Sequence, residues 1–153
     1  MADAVSLMLT GDIMTGRGID QVLPHPSPPV LYETYVQSAL DYVRLAESAH
    51  GDIDRPVPFP YIWGDALELM RDEAAPLIVN LETAITRSSD HWPKGINYRM
   101  NPGNAPCLPT AGIDCCVLAN NHVLDWGEAG LVETIEVLKA SGIATAGAGR
   151  DHD

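Results

Sequence analysis

The sequence predicts an α/β domain with a mostly parallel sheet, and three observations carry that expectation. Short apolar runs at residues 5–9, 77–79, 114–119 and 143–146 have the length of buried strands. Between them, apolar residues recur at helical spacing. Three of the runs stop in polar residues: Thr10-Gly11-Asp12, Asn80-Leu81-Glu82 and Asn120-Asn121-His122. Parallel strands that end this way deliver polar side chains to one edge of a sheet, where open α/β sheets bind ligands.

Taken in order, residues 5–9 form the first strand, and Gly11 lets the chain turn after it. Gly16 and Gly18 flank Arg17, and Pro24, Pro26, Pro28 and Pro29 predict irregular structure in that region. A helix is expected over residues 33–49, with Val36, Leu40 and Val43 on its apolar stripe and Gly51 beyond its end. Pro56, Pro58 and Pro60 make an extended connection, after which Asp65 caps a short helix containing Leu67, Leu69 and Met70. Residues 77–79 are the second core strand, residues 88–104 a loop with a short edge strand at 96–100, and residues 114–119 the third core strand. Asp125 and Glu128 stand at capping-box spacing before a helix with Leu131, Ile135 and Leu138 on one stripe. Gly142 ends that helix, and a fourth strand follows at 143–146.

At 153 residues the chain fits one domain large enough to bury a core. A net charge of −12 argues against nucleic-acid partners, which require clustered Lys and Arg. Cys107, Cys115 and Cys116 are odd in number and fit neither a disulfide framework nor zinc-ligand spacing, so a reducing compartment is expected. The N-terminus as written has no basic flank and long apolar segment of a secretory signal, which predicts a cytoplasmic protein, or an extracytoplasmic one if a leader has been removed. No run is long enough to span a bilayer as a helix.

If the strands share one sheet, Asp12, Glu82, Asn121 and His122 arrive at one rim. Two carboxylates, an amide oxygen and an imidazole make a mixed shell suited to a divalent metal such as Mn, Fe or Zn that activates water. Asp12, Glu82 and Asn121 are the expected metal ligands and His122 the expected catalytic residue. Arg17, Asn80 and Asn120 are the expected substrate-binding residues, Arg17 through an anionic group. Each also has a structural reading: Asp12 as a loop cap, Glu82 as a first-turn helix carboxylate, the asparagines as turn formers and Asp125 as a helix cap. His25, His50, His91 and His152 have no constellation around them.

The motifs Gly11-Asp12-Ile13-Met14-Thr15-Gly16-Arg17, Asn80-Leu81-Glu82-Thr83 and Asn120-Asn121-His122-Val123-Leu124-Asp125-Trp126-Gly127, with Gly147-Ala148-Gly149-Arg150 after the last helix, run in one order. In that order they resemble the bacterial capsule-synthesis family, the CapA or PGA_cap group, related to calcineurin-like metallophosphoesterases. The resemblance implies a four-layer α/β/β/α metallophosphoesterase-like sandwich, of which residues 1–153 would be the N-terminal part of one domain. It implies a metal-dependent hydrolase site in capsule or poly-γ-glutamate biosynthesis, with Asn121 on the metal and His122 donating a proton to the leaving group. Met14 departs from the pattern, which has histidine there, and Glu82 stands where aspartate is usual. The alternatives are a non-catalytic assembly or binding subunit on the same fold, or a phosphatase or nucleotidase unrelated to capsule. Expected partners are an anionic polymer or phosphoester substrate and a membrane-associated synthase.

Overall fold

The computed structural model describes residues 4–72 and 75–150, so His152 lies outside the described residues. The elements in chain order are β1 (Met8–Ile13), α1 (Arg17–Val22), α2 (Ala39–His50), α3 (Ala66–Asp72), β2 (Leu77–Leu81), β3 (Ala84–Ile85), β4 (Arg99–Met100), α4 (Cys107–Thr110), β5 (Ile113–Val117), α5 (Gly127–Ala140) and β6 (Ala144–Ala146), with 3-10 turns at Phe59–Trp63 and Pro102–Asn104. The main sheet has the order β1-β2-β5-β6, and every pairing in it is parallel. A two-stranded parallel ribbon of β3 and β4 stands beside it. The predicted α/β class and parallel sheet are therefore observed.

The strands run further toward their carboxyl ends than the apolar runs suggest. β1 includes Thr10, Gly11 and Asp12, and β2 includes Asn80 and Leu81. Asp12 pairs in register with Asn80, and Asn80 with Val117, so these polar residues lie within the ladder rather than after it. Backbone pairing with neighbouring strands carries residues of low strand preference along.

One face of the sheet is sealed. Leu77, Val79 and Leu81 on β2, with Cys116 on β5 and Leu138 on α5, are buried in a cluster with Ile85, Met100, Leu108 and Ile143. The opposite face is open among the described residues. Across it the register aligns Leu9, Ile78, Cys115 and Ala144, of which Leu9 is 69% exposed. Parallel sheets are ordinarily covered on both faces. Asp12 and Asn80 stand at the carboxyl end of this open face. A smaller cluster of Val22, Leu23, Val43 and Val57 joins α1 to α2.

Three predicted elements differ. The helix expected over 33–49 begins at Ala39, with the Ser38 hydroxyl accepting from Leu40 N–H as its cap. Residues 30–38 instead fold back, with a Val30–Ser38 bridge, because the Glu33 carboxylate is recruited into the interior by Arg17 and Tyr42. Arg17–Val22, read as loop, is a helix, and Asp20 on it is buried. The Asp20 carboxylate accepts from Ser27 N–H, Asn101 N–H and the Asn104 amide, so the proline-rich segment is pinned by hydrogen bonds rather than by repeating structure. The edge strand expected at 96–100 is reduced to Arg99–Met100.

The cysteines are all free. Burial pushes the Cys107 and Cys116 thiols from an ordinary value near 9 up to about 12, with the charge of Asp20 adding to the effect at Cys107 and that of Cys115 at Cys116. Both therefore stay protonated and unreactive at neutral pH. Iodoacetamide at pH 8 is expected to modify at most the half-buried Cys115 in the native protein and all three cysteines in denaturant. Rapid native labelling of Cys107 or Cys116, read by peptide mass, would contradict this packing.

Candidate functional site

The site is built at the carboxyl ends of β1, β2 and β5, in the turn that leads into α5. A chain of hydrogen bonds crosses the three strands. The Asn80 amide donates to Asp12 Oδ1 at 2.7 Å, and the Asn120 amide donates to Asn80 Oδ1 at 3.0 Å and to the Leu81 carbonyl at 2.9 Å. Asn120 Oδ1 in turn accepts from His122 N–H at 3.0 Å. Asn120 thus ties the His122 turn to the sheet, a bridge between strand ends that its turn-forming tendency alone does not announce.

The His122 ring is buried, held by two neighbours and flanked by a third. Nδ1 lies 2.7 Å from Asp125 Oδ2, and the ring stacks on Tyr98 with centroids 4.0 Å apart. Lys94 Nζ lies 3.3 Å from Nδ1 and 2.5 Å from Asp125 Oδ1, while donating to the Asn121 carbonyl at 2.7 Å. A carboxylate only accepts, so Nδ1 carries the proton it shares with Asp125; Nε2 then has the lone pair, or a proton to give once the ring is charged.

Asp125 is not the helix cap that its spacing suggests. The N-terminal residue flanking α5 is Trp126, with no side-chain capping bond. The Asp125 carboxylate, 1% exposed, instead receives Tyr98 N–H at 2.6 Å, His122 and Lys94. Lys94 and Tyr98 come from the segment between β3 and β4, which sequence reading leaves as loop without function. No local pattern singles them out, because their partners lie about thirty residues on.

Among the other expected residues, Glu82 follows β2 and its backbone N–H donates to the Ile13 carbonyl, and Asn121 is exposed with its carbonyl on Lys94. Neither side chain hydrogen-bonds within the Asp12, Asn80 and Asn120 chain. Among the described residues, no three His, Cys, Asp or Glu side chains come together in a way that would hold a metal ion.

Arg17 sits at φ 50°, a conformation that non-glycine residues rarely adopt. Gly16 before it packs so closely on β4 that a Cβ there would lie 2.8 Å from the Arg99 carbonyl oxygen. This approach lays the Arg17 guanidinium between the rings of Tyr42 and Tyr98, 5.1 and 4.7 Å from their centroids, with Nη2 2.6 Å from Glu33. Tyr98 is thereby held between Arg17 and His122. Met14 lines an apolar cavity of about 370 Å³ with Ile19, Val43 and Ile62, away from any hydrogen-bonding role.

Comparison with known proteins agrees with the motif order. The chain is 45% identical over 151 residues to the probable polyglutamine synthesis accessory proteins of two Mycobacterium tuberculosis strains, covering 97% of this chain and 40% of each relative. It is 38% identical over 96 residues to uncharacterised proteins of Sinorhizobium fredii, covering 59% of this chain and 21% of theirs. The chain thus spans less than half the length of these curated relatives. Residues 6–153 match the family described as bacterial capsule synthesis protein PGA_cap, and the chain belongs to that family.

Proposed function

We propose that this chain carries the acid–base centre of a hydrolase-like accessory factor in the synthesis of a capsule-type anionic polymer, with His122 as the proton-transferring residue. The supporting observation is the 2.7 Å contact between His122 Nδ1 and the buried Asp125 carboxylate. Such a carboxylate fixes the tautomer and ring orientation and stabilises the imidazolium as a proton is taken up. Lys94 neutralises the same carboxylate from its other oxygen, and Tyr98 covers the ring face against water. His122 would deliver its proton from Nε2 to a leaving group, and Asp125 and Lys94 act as positioning residues.

The divalent ion that the resemblance implies would draw on Asp12, Glu82 and Asn121. Asp12 and Glu82 offer carboxylate oxygens and Asn121 an amide oxygen, and among the described residues no three His, Cys, Asp or Glu side chains converge to complete such a shell. No step here depends on an ion.

A non-catalytic assembly role is the second reading. It is favoured by Met14 in the wall of an apolar cavity, where the hydrolase pattern has a metal-binding histidine, and by the accessory description of the mycobacterial relatives.

The test is His122→Gln, checked for native circular dichroism and assayed on p-nitrophenyl phosphate, bis-p-nitrophenyl phosphate and poly-γ-glutamate with and without Mn²⁺. Loss of roughly 10²–10⁴-fold in turnover supports an acid–base role. Activity unchanged in the variant overturns it. An inert wild type, whose deletion stops polymer formation in cells while His122→Gln restores it, establishes the assembly reading instead. Mn²⁺-dependent turnover lost in Asp12→Asn would add the metal.

A further inference from the structure

Among the described residues, Arg99 is a cation without a counter-charge. Its guanidinium lies over the Trp126 ring, 3.9 Å from the centroid, and Nη1 donates to the Ser88 carbonyl at 2.8 Å. No carboxylate pairs with it among the described residues. Tyr32 and Asp20 act on its charge, and Asp20 already accepts on both oxygens from Ser27, Asn101 and Asn104. Among the described residues, Nε and Nη2 make no hydrogen bond, Nη1 alone being engaged. Burial holds the guanidinium below its ordinary pKa, so the charge is kept at an electrostatic cost that an arriving anion would offset.

This guanidinium lines a groove of about 470 Å³, within the range of small-ligand sites. Arg87 contributes a second cation, whose pairing with Glu133 at 3.3 Å is solvent-exposed. The far wall is apolar: Pro28, Val30 at 55% exposure and Tyr32 at 41%. A planar fork with two free donors matches a carboxylate, and the apolar wall matches a short aliphatic chain rather than a bare inorganic ion.

We propose that the groove between Arg99, Trp126 and Tyr32 is a binding site for an organic carboxylate with a short aliphatic chain, held by Arg99 and assisted by Arg87. The site uses neither His122 nor Asp125, so it stands whether or not the acid–base reading does.

The probes are glutarate, triglutamate, the neutral isostere glutaramide, and inorganic phosphate, titrated by calorimetry and by tryptophan fluorescence. Trp126 lies directly beneath Arg99 and should report occupancy. Glutarate or triglutamate is expected to bind saturably and glutaramide not at all. Arg99→Gln should weaken binding at least ~10-fold, as loss of charged hydrogen bonds does. Arg87→Gln should weaken it roughly 2–5-fold, as expected for an exposed charge. Arg150→Gln, which removes a distant cation paired with Glu136, should leave it unchanged. Should Arg99→Gln fail to fold, the Arg87→Gln and glutaramide comparisons decide. Equal binding of glutaramide, binding of phosphate alone, unchanged affinity in every folded arginine variant, or no saturation by either carboxylate at millimolar concentration overturns the assignment.

Discussion

Asp125→Ala is expected to lose about 3–5 kcal/mol of folding stability, among the largest single effects in this chain. The carboxylate is 1% exposed and receives Tyr98 N–H, His122 Nδ1 and Lys94 Nζ. Truncation leaves all three donors facing a cavity, and an unsatisfied buried donor costs about 1–3 kcal/mol. The sum is limited because Lys94 can turn to water: its side chain retains 26% of its exposure. Asp125→Asn separates shape from charge. Its amide can still accept once but places N–H against a second donor, so about 1–3 kcal/mol is expected. Urea unfolding with an unchanged m-value checks both. A loss below 1 kcal/mol for Asp125→Ala would mean that the three contacts are not maintained in solution. The same pair of variants also bears on function, since Asp125→Asn removes the charge that orients His122 while keeping the turn.

The sheet was legible because buried strands advertise themselves as apolar runs, and the runs at 77–79 and 114–119 fall on β2 and β5 with small shifts. Asp12, Asn80, Asn120 and His122 were legible for the same reason, since each lies at or just past a strand's carboxyl end. Their connections were not. Nothing in Asn80 or Asn120 indicates that their amides link Asp12 to the His122 turn, because that link depends on a register set by strand pairing. Asp125 was misread for a related cause. A carboxylate two residues before a helix has a local partner available, and here the tertiary partners Tyr98 and Lys94, 27 and 31 residues away, displaced it, along with His122. Glu33 failed in the same way: its position in an amphipathic pattern predicts a helix, yet a buried ion pair outweighs the local preference of the six residues before Ala39, less than two turns.

That ion pair gives the second large effect. Glu33→Ala is expected to cost about 3–5 kcal/mol, because it strands the Arg17 guanidinium between Tyr42 and Tyr98 with no opposite charge. Glu33 is 3% exposed, and its two oxygens take Arg17 and the Tyr42 hydroxyl, the latter at 2.7 Å. Burial, with Glu33 accepting its proton, holds the Tyr42 phenol above its ordinary range, so this hydroxyl remains a donor at all physiological pH. Tyr42→Phe removes one neutral donor and should cost only about 0.5–1.5 kcal/mol. Arg17→Met combined with Glu33→Met removes both charges together and should recover most of the loss, since a buried pair replaced by apolar groups is often near neutral. Among the described residues Arg17 Nε is already buried without a hydrogen-bond partner, which favours recovery in the double variant over that of a fully satisfied pair. Because Tyr98 is held between Arg17 and His122, freeing Arg17 should also move the His122 ring-proton chemical shifts in Glu33→Ala. Unaltered shifts together with a loss under 1 kcal/mol would show that the stack does not couple the two sides. A stability loss with unaltered shifts would confine Glu33 to holding the fold and leave the His122 centre to Asp125 and Lys94 alone.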